Sequence, residues 1–180
     1  METAYMETDY IKLDSSYKGR KIEFRYITEK YYDIEISESF KYEFILKDFN
    51  SPIEKRFTSR LLEDWHENPI LYGVFNGYDL IGILELSHEE WNNRLRLTNI
   101  HIESDYRKLG IGSKLMDIAI QNCREIEARG IVLETQSCNY PAISFYRKCG
   151  FELIGFDLTH YSDDDVKKKE FRMEFYLEVK

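Results

Sequence analysis

Residues 104–115 read Ser-Asp-Tyr-Arg-Lys-Leu-Gly-Ile-Gly-Ser-Lys-Leu, and this stretch decides the fold. Residues 95–102 before it alternate between apolar and polar types as a β-strand does, and after it apolar residues recur at helical spacing. Gly110 and Gly112 lie between the two elements. Glycine lets a ligand approach the backbone, and the free amides and dipole of a helix N-terminus favour a negative group. The stretch therefore predicts an anion-binding turn between a strand and a helix.

A second segment, residues 139–151, reads Asn-Tyr-Pro-Ala-Ile-Ser-Phe-Tyr-Arg-Lys-Cys-Gly-Phe. Asn139 suits a helix N-cap, Pro141 suits the first turn, and Gly150 suits the position after the last turn. Residues 130–135, a short β-rich run that begins with glycine, precede this segment. The chain thus predicts the order strand, glycine turn, helix, strand, short helix.

Two motifs in this order resemble those of the GCN5-related N-acetyltransferases. Residues 107–112, Arg-Lys-Leu-Gly-Ile-Gly, are similar to the family's Arg/Gln-x-x-Gly-x-Gly/Ala pyrophosphate loop. The family's second motif is matched by Asn139, Ala142, Phe145, Tyr146, Gly150 and Phe151. The resemblance extends from about Leu71 to Phe156. It implies an α/β (α+β) fold, the acyl-CoA N-acyltransferase fold, in which a mixed, mostly antiparallel sheet is flanked by helices on both faces.

The same resemblance implies an enzyme that transfers acetyl directly from acetyl-CoA to a primary amine in a ternary complex. Residues 91–95, 133–136 and 154–157 are similar to streptothricin acetyltransferases and to the broad set of bacterial acetyltransferases around them. In the streptothricin enzymes, the strand before the loop tends to carry acidic residues where this chain has Thr98 and Asn99. A bacterial source and a role in antibiotic resistance are expectations from this narrower resemblance.

A donor site follows from the resemblance. The pyrophosphate loop would hold the diphosphate, and the pantetheine arm would enter between two splayed strands, here residues 94–102 and 131–135. The expected acetyl-CoA contacts are Ile100, Ile102, Arg107, Lys108, Leu109, Gly110, Ile111, Gly112, Ser113, Asn139 and Tyr146. The Tyr146 hydroxyl is expected to protonate the CoA thiolate. A backbone N–H at Ile102 or its neighbour would bind the acetyl carbonyl oxygen.

The base that deprotonates the amine has several candidates. We assign Glu134, near the end of one of these strands, as the catalytic carboxylate. His101, Glu103, Glu85 and a water chain remain alternatives. A carboxylate would need a raised pKa or a bridging water, whereas an imidazole already titrates near neutral pH.

Composition limits the class of protein and its partners. The chain has 180 residues and a formal net charge of −8. This length suits one domain, expected over residues 21–180, with residues 1–20 as an N-terminal arm or extra element. The charge disfavours nucleic acid and is compatible with a cationic small molecule or basic peptide. No signal peptide or membrane-spanning run is visible, which predicts a cytoplasmic protein without a membrane partner. Cys123, Cys138 and Cys149 lack metal-ligand spacing, so no metal is expected.

Periodicity predicts the remaining elements. Period-two alternation predicts strands over residues 21–27, 32–36, 42–46 and 94–102. Residues 55–66 predict an amphipathic helix, because Phe57, Leu61, Leu62 and Trp65 recur at spacings of three and four. Strands over residues 70–75 and 78–86 form a hairpin with a tight turn at Asn76-Gly77. Residues 151–160 and 170–179 predict a final hairpin, joined by the charged run 162–169.

The acceptor is expected to be a cationic amine on a small molecule or a peptide. Aromatic faces and carboxylates suit such a ligand, and the chain offers Tyr31, Tyr32, Trp65, Trp91, Tyr161 and nearby acids. A homodimer is expected, because pairing of final strands between subunits is common in relatives. The alternative is a catalytically silent acyl-CoA-binding sensor or interaction protein of the same fold. A nucleotide-binding protein fits less well, since the loop has no Gly-Lys-Ser/Thr ending and no third glycine.

Overall fold

The computed structural model describes residues 7–38 and 40–180, in two compact units. The strands are β1 (Asp9–Leu13), β2 (Lys21–Ser37), β3 (Lys41–Arg60), β4 (Pro69–Asn76), β5 (Asp79–Glu89), β6 (Arg94–Ile102), β7 (Gly130–Gln136), β8 (Glu152–Asp157) and β9 (Arg172–Glu178). The helices are α1 (Ile111–Glu125), α2 (Tyr140–Lys148) and the short α3 (Asp165–Lys168). Among the described residues, the first unit contains 7–22, 59–131 and 178–180, and the second contains 23–38, 40–58 and 132–177.

The first unit is built on antiparallel strands in the order β1, β4, β5, β6. Helix α1 packs against β5 and β6. Its buried residues recur at helical spacing, so the helix presents one apolar side to the strands. β1 lies within the stretch predicted as an arm or extra element, and it pairs with β4 along its whole length. The core of this unit includes Leu61, Leu71, Val74, Leu84, Leu95, Leu115 and Ala119.

A β-bulge interrupts the pairing of β5 with β6. Glu85 pairs with Asn99, but the next residue, Leu86, pairs with Leu97, so Thr98 is the extra residue on β6. The Thr98 hydroxyl donates to the Glu85 carbonyl oxygen at 3.0 Å. The bulge therefore changes the course of β6 just before the strand reaches Ile100 and Ile102.

The second unit contains the two-stranded ribbon β2–β3 and the neighbouring strands β7, β9 and β8. β8 and β9 pair antiparallel. Tyr32 on the ribbon donates its amide to the Ser137 carbonyl oxygen at 2.9 Å, and the Ser137 amide donates to the Phe171 carbonyl oxygen at 2.8 Å. The core of this unit includes Ile34, Val132, Leu133, Ile143, Phe151, Phe171, Met173 and Phe175.

The helix predicted over residues 55–66 is wrong. Residues 55–60 complete β3, and Phe57 stacks on Phe24 of β2 with ring centroids 4.8 Å apart. Beyond β3, Leu62 has φ 53°, a left-handed conformation that a helix does not contain. The two strands predicted over residues 21–27 and 32–36 are one continuous strand, β2. Pairing along this ribbon therefore overrides the helical spacing of the local sequence.

The strand predicted over residues 42–46 is part of the much longer β3, which continues to Arg60. The other predicted elements are confirmed, with small shifts at their ends. β6 spans the predicted residues 94–102, and the β4–β5 and β8–β9 hairpins are present. Asn76 pairs with Asp79, so the first hairpin turns at Gly77 and Tyr78, one residue later than predicted. Within residues 7–38 and 40–180, no helix has the length and apolar character needed to span a membrane.

Candidate active site

The turn before α1, in the first unit, has the backbone geometry of a nest, which suits an anion. Gly110, the N-cap, has φ 88°, and a Cβ placed there would meet no other atom within 4 Å. The first α-helical bond runs from the Lys114 amide to the Gly110 carbonyl oxygen. The amides of Ile111, Gly112 and Ser113 therefore have no acceptor within the helix. No acidic residue lies in the first turn, so no carboxylate of that turn opposes the favourable effect of the helix dipole on an anion.

Positive charge and backbone strain lie beside this nest. Arg107 and Lys108 are exposed, as is Leu109, which is 58% exposed despite its apolar side chain. Arg107 donates from Nε to the Ile102 carbonyl oxygen at 2.8 Å, which ties the loop to the end of β6. Lys108 has φ 63°, a conformation that costs a residue other than glycine free energy. The arrangement fits a diphosphate group, with cationic side chains around free backbone amides.

The end of β6 carries the predicted donor contacts Ile100 and Ile102. Both are half-buried, and they alternate along the strand with the buried Asn99 and His101. His101 lies 3.3 Å from Glu103. Burial is the largest influence on the pKa of His101, and it lowers that pKa despite the neighbouring carboxylate. The side chain is therefore mostly neutral at neutral pH, as a base must be.

Glu85 has both carboxylate oxygens occupied. Oε1 accepts from the Leu62 amide at 2.7 Å and lies 3.0 Å from His66 Nδ1, while Oε2 accepts from Asn99 Nδ2 at 2.6 Å. Burial opposes ionisation most strongly, but the hydrogen bonds from His66, Asn99 and Leu62 outweigh it and lower the pKa of Glu85. A carboxylate with a lowered pKa and no free oxygen is poorly suited to be the base.

Helix α2 presents the predicted acid, Tyr146, in the second unit. Asn139 Oδ1 accepts from the Ala142 amide at 3.4 Å and caps the helix, and its Nδ2 donates to Thr135 Oγ1 at 3.1 Å. Tyr146 is buried between Phe145 and Phe151, with ring centroids 5.7 and 5.9 Å away. Burial and the nearby Cys149 and Glu134 raise the pKa of Tyr146. The hydroxyl therefore keeps its proton at neutral pH and can donate it.

The predicted carboxylate Glu134 lies on β7 in the same unit as Tyr146. Its Oε2 accepts from the Tyr161 hydroxyl at 3.1 Å and lies 3.2 Å from Arg172 Nε. Oε1 has no hydrogen-bond partner among residues 7–38 and 40–180. One oxygen is thus fixed by two donors, and the other is available to a ligand.

The predicted residues fall into two groups. Ile100, Ile102 and residues 107–113 form one continuous path from β6 to α1 in the first unit. Glu134, Asn139 and Tyr146 lie together in the second unit. Sequence reasoning missed the partners His66 and Arg172, because each meets its carboxylate only in the folded protein; His66 is 19 residues from Glu85 along the chain.

Comparison with known proteins identifies the family. Residues 32–151 match the model of the Acetyltransferase (GNAT) family, which is more than half of the chain. The chain belongs to the GNAT family. This GNAT protein is therefore an N-acetyltransferase that uses acetyl-CoA, as the two motifs predicted.

Individual relatives agree with this membership. The GNAT chain is 33% identical over 126 residues to a streptothricin acetyltransferase of Escherichia coli, covering 70% of this chain and 71% of that protein. A candidate streptothricin acetyltransferase of Bacillus anthracis, solved in complex with acetyl coenzyme A, is 27% identical with a TM-score of 0.77, covering 97% and 99% of the two chains. A nourseothricin acetyltransferase structure has a TM-score of 0.77 at 21% identity, covering 96% and 99%. The predicted α+β fold with a mixed, mostly antiparallel sheet is confirmed.

Proposed function

We propose that this GNAT enzyme acetylates a primary amine of a small cationic molecule of the streptothricin type. The carrying observation is the nest before α1, where Gly110 leaves the backbone open and three amides of the first helical turn have no acceptor in the helix. Such a nest suits the diphosphate of acetyl-CoA. The acceptor class is inferred from the streptothricin acetyltransferase of E. coli, with which the chain shares 33% identity.

Each predicted donor contact has a role in this proposal. The amides of Ile111, Gly112 and Ser113 bind the diphosphate, with Gly110 leaving room and Arg107, Lys108 and Leu109 bordering it. Ile100 and Ile102 of β6 contact the pantetheine arm, and the Ile102 amide or its neighbour binds the acetyl carbonyl oxygen. Asn139 contributes through the start of α2. Acetyl-CoA supplies the activated thioester carbonyl.

Tyr146 and Glu134 carry the proton transfers. The Glu134 carboxylate accepts a proton from the acceptor ammonium through its free Oε1, directly or through a water. The neutral amine then attacks the thioester carbon, so a C–N bond forms and the C–S bond breaks. Tyr146, whose burial keeps its hydroxyl protonated, donates that proton to the departing thiolate. The nitrogen of the new amide loses its second proton to solvent, and solvent returns a proton to Tyr146.

Three further assignments stay predictions. The homodimer is inferred from relatives, and the cytoplasmic location from the sequence. The division into an N-terminal arm, residues 1–20, and one domain, residues 21–180, is proposed with the qualification that β1 lies in the first part and pairs with β4. A peptide amine is the other acceptor within the same chemistry.

A thiol-release assay tests the proposal. Purified protein is mixed with acetyl-CoA and, in separate reactions, streptothricin, spermidine, an aminoglycoside and a basic peptide. Amine-dependent release of free CoA thiol with streptothricin supports the proposal. Thiol release with the basic peptide alone would show that the acceptor is a peptide amine and not a small molecule. Binding of acetyl-CoA by calorimetry with no release for any amine would favour the silent acyl-CoA-binding alternative.

A further inference from the structure

The segment between β3 and β4, residues 61–68, exposes a tryptophan on a firmly held loop. We call this segment the Trp65 loop. Trp65 is 67% exposed, whereas tryptophan is normally largely buried, because its large apolar surface is costly to leave in water. An exposed indole on a mobile loop would need no explanation. The contacts that hold this loop therefore show whether Trp65 is kept exposed in a fixed position.

Both ends of the Trp65 loop are anchored in the first unit. At the start, the Leu61 amide donates to the Arg20 carbonyl oxygen at 3.0 Å, and Leu61 itself is fully buried. At the end, the Ser87 hydroxyl donates to the Glu67 carbonyl oxygen at 2.7 Å, and Asn68 Nδ2 donates to Glu90 Oε1 at 2.7 Å. These contacts fix the two ends to separate parts of the fold.

Glu85 binds the middle of the Trp65 loop through Leu62 and His66. This fully buried carboxylate accepts from the Leu62 amide and lies 3.0 Å from His66 Nδ1. The His66 ring in turn packs edge-on against the Trp65 ring, with centroids 4.0 Å apart and planes at 72°. The buried charge of Glu85 thus supports the exposed indole through one intermediate ring.

The indole is also fixed from the side. Trp65 Nε1 donates to Glu63 Oε2 at 2.8 Å, so the ring has little freedom to rotate. With its nitrogen bonded and one side supported by His66, Trp65 presents the rest of its ring surface to solvent. A rigid, exposed aromatic ring is a good contact for an organic cation, because little conformational entropy is lost on binding.

The charges around Trp65 have the sign that a cation requires. Glu63, Asp64 and Glu67 flank the ring in sequence. Asp64 pairs with Lys18 at 2.5 Å. Glu63 and Glu67 have no cationic partner within residues 7–38 and 40–180. Glu63 contacts the indole, Glu67 lies two residues beyond Trp65 on the same loop, and neither has a counter-charge in the described part of the chain, so the loop is complementary to an ammonium or guanidinium group.

We propose that the Trp65 loop binds the cationic part of the acetyl acceptor, with the Trp65 ring and the Glu63 and Glu67 carboxylates as its contacts. This inference rests on the proposed function for the identity of the ligand as an acceptor. It makes Trp65 a specificity residue: it favours amines that carry a second positive charge and does not take part in the chemistry.

A fluorescence titration tests the binding directly. The chain contains two tryptophans, so a Trp91→Phe background leaves Trp65 as the sole indole reporter. The protein is titrated with spermidine and with streptothricin, and with the neutral polyol glucitol as a control for charge. We expect a saturable change in emission with both cations, weakened by added salt, and none with glucitol. No response to the cations, or an equal response to glucitol, would overturn the inference.

Kinetics then test whether the bound cation is the acceptor. We expect Trp65→Leu to raise the acceptor KM about 2- to 5-fold, the range of one cation–π contact at an exposed site, and to leave the acetyl-CoA KM unchanged. Trp65→Phe keeps an aromatic ring and serves as a conservative variant in case Trp65→Leu misfolds. Its acceptor KM should lie between those of the parent and Trp65→Leu. Tyr78→Leu, which removes another fully exposed aromatic ring of the first unit, should change neither KM. An unchanged acceptor KM in Trp65→Leu overturns the proposal.

The two proposals fail in different ways. If no amine is acetylated but Trp65 still responds to spermidine, the acceptor assignment of the proposed function falls and the loop remains a cation site. If the parent and Trp65→Leu both acetylate streptothricin and have the same KM for it, the proposed function is supported and the role of the Trp65 loop is refuted. Glu63→Gln keeps a hydrogen-bond acceptor for the indole N–H and removes one negative charge. We expect this loss of charge to weaken cation binding about threefold.

Discussion

Replacing Gly110 by alanine separates the cost of backbone strain from the loss of the ligand site. Gly110 has φ 88°, and an added Cβ would touch no other atom of the described protein within 4 Å. Gly110→Ala therefore introduces strain of about 1–2 kcal/mol and no internal clash. Gly19, with φ 77° and equally open surroundings, offers a matched control in the same unit. The two variants should be destabilised by similar amounts.

Their effects on acetyl-CoA should differ. At Gly110 the new methyl group enters the nest and displaces the diphosphate from at least one backbone amide. A hydrogen bond to a charged group contributes about 1.5–3 kcal/mol, which corresponds to roughly a 10- to 100-fold rise in the dissociation constant for acetyl-CoA. Gly19→Ala changes no residue near the nest, and we expect its dissociation constant to stay within about twofold of the parent.

Isothermal titration calorimetry with acetyl-CoA measures the dissociation constants, and urea unfolding measures the free energies of unfolding. The two variants are compared at equal folded fraction. If Gly110→Ala binds acetyl-CoA as tightly as Gly19→Ala does, the nest before α1 does not hold the diphosphate. If Gly110→Ala alone is unfolded, the comparison is repeated with Gly112→Ala, which perturbs the same helical turn.

Three further outcomes follow from the catalytic and buried groups. Tyr146→Phe should lower kcat by roughly two orders of magnitude with the acetyl-CoA KM unchanged, whereas Tyr140→Phe on the same helix should keep kcat, as measured by thiol release. Glu134→Gln should lower kcat roughly 100-fold. Tyr161→Phe removes one hydrogen-bond donor to Glu134 Oε2 and should lower kcat only about threefold to tenfold. Equal losses of kcat in the two variants would contradict a role of Glu134 as the base. Glu85→Gln should lower the free energy of unfolding by about 2–4 kcal/mol at pH 7. Because folding lowers the pKa of Glu85, its stabilisation is present above the unfolded pKa and is lost as pH falls through the folded pKa. The difference in free energy of unfolding between the parent and Glu85→Gln, measured by urea unfolding, should therefore narrow in acid. A difference that widens in acid would contradict the stabilising role of ionised Glu85.

Local signals were sufficient for the elements that surround the donor motifs. The start of α1 at the glycine turn and the Asn139 cap of α2 depend on residues a few positions apart. Gly150, predicted to follow the last turn of α2, has φ 94°. Such caps are encoded in short stretches of sequence, so they could be predicted without knowledge of the tertiary contacts.

Tertiary contacts determined what the sequence could not predict. Residues 55–66 have helical spacing, yet Phe57 finds its partner Phe24 across the ribbon, and Leu62 is held in a left-handed conformation by Glu85. The spacing of apolar residues reports amphipathicity, and it does not report a pairing strand more than 30 residues away or a buried carboxylate. The support of Trp65 by His66 and Glu85 could not be predicted either, because it depends on the tertiary contact between His66 and Glu85.

We propose that this GNAT enzyme transfers acetyl from acetyl-CoA to an amine of a streptothricin-type cation. Mass spectrometry of streptothricin after incubation with the enzyme and acetyl-CoA tests it most directly, with CoA thiol measured in the same reaction. We predict one acetyl group added to an amine of streptothricin for each thiol released, and loss of both signals in Gly110→Ala and Tyr146→Phe at limiting acetyl-CoA. Unmodified streptothricin in the presence of folded protein that binds acetyl-CoA would contradict the account.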